Sequence, residues 1–134
     1  MFLSQLSDKN KEDFLKVCTC AALSNNVFAD EEKEILYVYC REMDIEEHIP
    51  ESKEDFDTLI GRLRGETNDE EKRIIVFETL AFIKSDGTYD EKEQDFMLKL
   101  TTGLGLSKED LDRFDSLLEK YLLVEQELFD AIAE

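Results

Sequence analysis

The sequence predicts an all-α domain, and three observations carry that prediction. Only one proline, Pro50, and five glycines occur in 134 residues, too few breakers for a sandwich or barrel that turns about every ten residues. Apolar residues recur at spacings of three and four, the period of one helix face. Acidic and hydroxyl residues stand just ahead of those stripes, where the start of a helix needs them. A chain of this length with 42% hydrophobic residues can bury one core without disulfides or metals, so a single domain over residues 1–134 is expected.

Each element follows from its own residues. Ser7 to Leu23 is a helix with Phe14, Leu15, Val17, Cys18, Ala21 and Ala22 on one face. Asn25-Asn26 interrupts it, since Asn tolerates the left-handed conformation that ends helices. A second helix from about Asp30 to Met43 turns Ile35, Leu36, Val38 and Tyr39 inward, and Asp44 to Ser52, with Pro50, is the loosest connection. Ser52-Lys53-Glu54-Asp55 opens a third helix, whose stripe of Phe56, Leu59, Ile60 and Leu63 stops at Gly65. Thr67-Asn68-Asp69-Glu70 has the spacing of a capping box. The helix it begins is apolar at Ile74, Ile75, Val76, Phe77, Leu80, Ala81 and Ile83, which predicts burial on nearly every side and a central place.

Asp90-Glu91-Lys92-Glu93 caps the next helix, which ends at Gly103 or Gly105. Ser107-Lys108-Glu109-Asp110 starts a final helical segment, residues 107–134, in which Leu111, Phe114, Leu118, Tyr121, Leu128 and Ile132 follow a rhythm close to seven. This tail is one long helix or two with a bend near Tyr121 to Val124. It packs within its own chain or pairs as a homodimer, and packing within the chain is the simpler expectation.

Charge and composition exclude several functions. With 34 acidic against 16 basic side chains, a net of −18, the surface repels phosphate backbones and anionic lipid heads. Nucleic acid is excluded as a direct partner on this ground, and a protein with a basic contact surface is favoured. No apolar run is long enough for a membrane span, and the opening Met1-Phe2-Leu3-Ser4-Gln5-Leu6 lacks the basic end of a secretory signal. Three cysteines, Cys18, Cys20 and Cys40, are an odd set without a disulfide framework and suit the cytoplasm. With His48 they match a Cys₃His zinc site in count. Residues two apart on a helix point about 200° apart, however, so Cys18 and Cys20 cannot both face one ion. No Gly-rich phosphate loop, nucleophile elbow or dense basic patch is present, and no enzyme is expected.

The chain also repeats itself. Shifted by 61 residues, Ser24-Asn25-Asn26-Val27-Phe28-Ala29-Asp30-Glu31-Glu32 lies over Ser85-Asp86-Gly87-Thr88-Tyr89-Asp90-Glu91-Lys92-Glu93. Weaker matches follow as far as Met43 and Ile45 over Leu104 and Leu106, so the halves run over about 7–45 and 67–106. Each copy reads as helix, acidic turn, helix. Gly87 supplies a positive φ, Tyr89 or Phe28 fills the corner, and Asp90 and Glu93 or Glu32 suit the positive end of the new helix.

The stretch Ile83-Lys84-Ser85-Asp86-Gly87-Thr88-Tyr89-Asp90-Glu91-Lys92-Glu93, followed by Leu100, Leu104-Gly105-Leu106 and Ser107-Lys108-Glu109-Asp110, resembles the TerB-like family. That family includes tellurite-resistance proteins and the N-terminal domains of DjlA co-chaperones. The resemblance spans roughly Phe14 to Tyr121, and the first repeat departs from it with Asn25-Asn26 in place of Asp-Gly. It implies a compact bundle of about seven helices with pseudo-two-fold halves. It also implies a link to metal-oxyanion or general stress, divalent-cation binding by acidic residues, and association with partner or membrane-complex proteins.

A divalent cation, Ca²⁺ or Mg²⁺, is therefore the candidate cofactor. Its candidate ligands are Asp86, Asp90 and Glu93 in one turn with Asn25, Asp30 and Glu32 in the other, hard oxygen donors that would pool if the halves face each other. The spacing is not that of an EF-hand: counted from Asp86, the sixth residue is Glu91 and the twelfth is Met97, where a Gly and a Glu are needed. The competing account is that these residues simply build a turn.

Overall fold

The computed structural model describes residues 1–24, 28–51 and 53–134. They form six α-helices: α1 (Asp8–Leu23), α2 (Asp30–Glu42), α3 (Phe56–Glu66), α4 (Asp69–Ile83), α5 (Glu91–Gly103) and α6 (Lys108–Ala133). Short 3-10 turns lie at Leu3–Gln5 and Lys84–Asp86, and no strand occurs among the described residues. The all-α expectation holds, with six α-helices where about seven were implied.

The central helix is α4. It touches α1, α5, α6 and both 3-10 turns, and it buries Ile74, Ile75, Val76, Thr79, Leu80, Phe82 and Ile83 on several sides. Burying an aliphatic or aromatic side chain contributes about 1.5–3 kcal/mol, so α4 anchors the core. Helix α1 also meets α3, where the Arg62 guanidinium donates to both carboxylate oxygens of Asp13 at 2.9 Å and also to Glu54. Helices α3 and α5 approach closely at Gly103, where a Cβ would stand 2.6 Å from Ile60 Cγ2. Phe56 stacks on Phe96 across the same contact, with centroids 4.4 Å apart.

The helix ends keep the 61-residue offset of the sequence match. Helices α2 (30–42) and α5 (91–103) begin and end 61 residues apart, and α1 and α4 begin at 8 and 69, again 61 apart. Both second helices stop by one device. Asp44 N–H donates to Arg41 O and Ile45 N–H to Cys40 O, while Gly105 N–H donates to Thr102 O and Leu106 N–H to Thr101 O. The turning residue takes a positive φ in each, 56° at Asp44 and 90° at Gly105. Asp is among the few non-glycine residues that accept that conformation at modest cost.

The structure also corrects local readings. The capping box of α4 is built by Asn68 and Glu71, one residue later than Thr67 and Glu70: Asn68 Oδ1 accepts from Glu71 N–H at 2.8 Å. The Thr67 hydroxyl instead donates to Leu63 O at 2.5 Å. Gly65 does not stop α3, which runs on to Glu66. Val38 is exposed, because the buried stripe of α2 is Leu36, Cys40 and then Met43, and a residue two from Leu36 points about 200° away from it. Asn25, Asn26 and Ser52, taken as a helix stop and the start of a cap, lie outside the described residues.

The tail is one continuous helix without a bend. Leu111 and Leu118 are buried and Phe114 packs against the core, but every residue from Glu119 onward is exposed. The expectation that it packs within its own chain therefore holds only as far as Leu118.

Candidate functional site

The second acidic turn is built as its residues require. Gly87 has φ 83° and its N–H donates to Lys84 O, closing the 3-10 turn in a conformation that suits glycine. Asp86 Oδ1 accepts from Thr88 N–H at 2.9 Å and from the Thr88 hydroxyl at 2.8 Å. Asp90 Oδ1 accepts from Glu93 N–H at 2.8 Å, and Glu93 Oε1 accepts from Asp90 N–H at 3.0 Å. Tyr89 is half-buried beneath Lys84, whose Nζ lies 5.4 Å from the ring centroid. Burial pushes the Tyr89 hydroxyl up to about 12.

Lys84 also donates to Asp115 and Glu119 of α6, so the turn is tied to the helix that leaves the bundle. Burial alone would lower its pKa, but these carboxylates outweigh that and raise it. In the first turn Lys33 stands 5.5 Å over Phe28 in the corresponding corner, and Glu32 Oε1 accepts from Ala29 N–H at 3.1 Å.

The candidate cation ligands are thus distributed as follows. Asp90 and Glu93 meet in a capping box, Asp86 closes its own turn, Glu32 caps α2, and Asn25 lies outside the described residues. Among the described residues no group of three or more His, Cys, Asp or Glu side chains is placed to hold a metal ion. Cys18, Cys20 and Cys40 are free thiols, and burial pushes each one up, which keeps them protonated and unreactive.

Three buried carboxylates escaped the sequence reading: Asp13, paired with Arg62, and Glu71 and Glu78. Glu71 Oε2 accepts from Ser7 N–H at 2.9 Å, the Ser7 hydroxyl at 2.8 Å and Asn10 Nδ2 at 2.9 Å. Burial would raise its pKa, yet these donors hold it at about 2. Ser7 and Asn68 are equivalent helix caps in the two repeats, as are Asn10 and Glu71 one turn on, so this knot joins the copies where α1 meets α4. Glu78 lies 2% exposed within α4; burial raises its pKa against the opposing pull of the Met1 ammonium, 3.3 Å away. The signal for Glu78 was present: it is the one charged residue between Ile74 and Ile83.

An open apolar surface lies elsewhere. A groove of about 480 Å³ runs between the N-terminal turn, α4 and α6, and Met1, Phe2, Ile74, Phe77, Phe114 and Leu117 supply its apolar walls. Edge-to-face contacts, Phe2 on Phe77 at 5.9 Å and Phe77 on Phe114 at 6.1 Å, fix its floor. Arg73, Glu70 and Tyr121 also line it. From its edge α6 continues away from the bundle, with Leu128 58%, Phe129 62% and Ile132 82% exposed. Sequence reasoning found the stripe but not its exposure.

No helix among the described residues is long and apolar enough to cross a membrane. No curated protein and no solved structure matches the chain. The family model described as tellurite resistance protein TerB matches residues 41–116, more than half of the chain, from the end of α2 into α6. The chain belongs to the TerB family.

Proposed function

We propose that this chain is a non-enzymatic domain that works through protein–protein contacts in a bacterial stress response of the tellurite-resistance kind, or in an envelope-linked system, in the cytoplasm. The observation that carries the reading is the apolar face of α6 beyond Leu118, exposed and continuous with an apolar groove. Contiguous apolar patches of several hundred Å² are rare on monomers and mark contact sites. The carboxylate-rich remainder of the surface, with a net charge of −18, favours a partner with a basic contact surface and speeds its approach. Membership of the TerB family supports the stress-response part of this reading.

The test is site-specific photo-cross-linking in cells that express the full chain, with the probe at Leu128 or Ile132 and a control probe at exposed Thr88, before and after tellurite exposure. Discrete adducts from the α6 positions support the reading. Absence of any adduct from α6 under both conditions contradicts it. Contact through acidic groups should also weaken as salt rises, because screening shortens the range of the attraction.

A further inference from the structure

We infer that the occupant of this surface is a second copy of the same chain, paired through antiparallel α6 helices. The inference rests on the contact reading above but places a second acidic copy where that reading favours a basic partner. One patch carries both halves of the interface. The groove beside Phe114 and Leu117 opens on the same face of α6 that later presents Phe129 and Ile132. A surface that holds both a ridge and the groove to receive it closes on itself about a two-fold axis, the commonest symmetry of oligomers.

Helix geometry sets the register. The free part of α6, from residue 119 to 133, is roughly 22 Å long at 1.5 Å per residue. With the axis near Leu123, Phe129 of one copy meets Leu117 of the other, and Ile132 meets Phe114. Tyr121, Leu122, Leu128, Phe129 and Ile132, with the groove walls, offer roughly 600–700 Å² of apolar surface, against the ~800 Å² per partner of a standard interface.

Charge selects the same pairing. Glu125 stands in the middle of the α6 stripe, between Leu122 and Phe129, where it accepts from the Tyr121 hydroxyl of its own helix and its charge opposes burial. In the antiparallel register it falls opposite Tyr121 of the other copy, beside Arg73. Arg73 lines the groove, and its charge also acts on Asp110 of its own chain. An Arg–Glu pair there would join the two copies and fix the register, as buried polar pairs do in coiled coils. Beyond the interface, two bodies of net charge −18 repel one another, so added salt strengthens this association. It would weaken binding of a basic partner.

The experiment is sedimentation velocity on the full chain, from about 10 µM to about 1 mM, at roughly 0.05 and 0.5 M salt. The expected mass rises from 15.6 kDa toward twice that value, at lower concentration in the higher salt. Arg73→Glu and Glu125→Lys should each remain monomeric with unchanged helical circular dichroism, since both residues are exposed. An equimolar mixture of the two should dimerise, because each then supplies the charge that the other lacks. A chain that stays monomeric throughout, or a dimer indifferent to both substitutions, overturns the inference. A monomer whose Leu128 probe still captures a different protein also overturns it, while leaving the contact reading intact.

Discussion

Replacing Glu71 by Gln tests the junction between the repeats. The substitution keeps the shape but removes the charge and an acceptor that faces Ser7 N–H, the Ser7 hydroxyl and Asn10 Nδ2. The carboxyl is held at about 2 against an ordinary value of 4.5, which corresponds to about 3 kcal/mol of stability at neutral pH. The sign follows from the direction of the shift: a depressed carboxyl stabilises fully above 4.5 and loses that contribution as the pH falls toward 2. Stability of an ordinary domain is about 5–15 kcal/mol, so Glu71→Gln should lower the urea midpoint by roughly 1–2 M at pH 7. The deficit should shrink as unfolding is repeated at lower pH. A double-mutant cycle with Asn10→Ala should return a coupling of about 1–3 kcal/mol. Wild-type stability in Glu71→Gln, or a deficit that does not change with pH, would refute the argument.

Other substitutions probe the turns and the close contacts. Gly87→Val should cost about 1–2 kcal/mol in thermal or urea unfolding, from its φ of 83° alone, since a Cβ there meets nothing within 4 Å. Gly87→Asn should be milder. Gly103→Ala should cost about 1–3 kcal/mol, because the new Cβ must displace Ile60 Cγ2 from 2.6 Å. Chelator-treated protein titrated with Ca²⁺, Mg²⁺, Mn²⁺ and Zn²⁺ should show no saturable rise in Tm, because Asp90, Glu93 and Glu32 are engaged as caps. A rise of about 2.7 kcal/mol at a hundred times the dissociation constant, abolished in Asp86→Ala with Glu93→Ala, would restore the cation site.

What the sequence made legible was whatever depends on local pattern. The centrality of α4 followed from apolar residues on every side of one helix. The positive φ of Gly87 and the Asp90 cap followed from turn chemistry. The cap of α4 slipped by one residue because Thr67 and Asn68 are both good caps and Glu70 and Glu71 both follow. What selects Asn68 and Glu71 is the reach of Glu71 to Ser7 and Asn10, more than sixty residues away. The fate of α6 was hidden for a related reason. Its stripe continues from Leu111 to Ile132 without change, whereas its burial ends at Leu118, where the body of the bundle ends. Glu71 was hidden in a chain with 34 acidic residues, since only tertiary packing separates a buried carboxylate from a solvated one, whereas Glu78 was legible as the one charged residue in the apolar run from Ile74 to Ile83.

The most direct test of the central claim is amide hydrogen exchange over residues 119–133 at low and high protein concentration. An unpartnered helix end opens readily, and a docked one does so far less. The account predicts protection there that rises with concentration and is lost in Phe129→Asp, while α4 exchanges slowly throughout. Equal, rapid exchange of those residues at every concentration and with every cell extract added would contradict it.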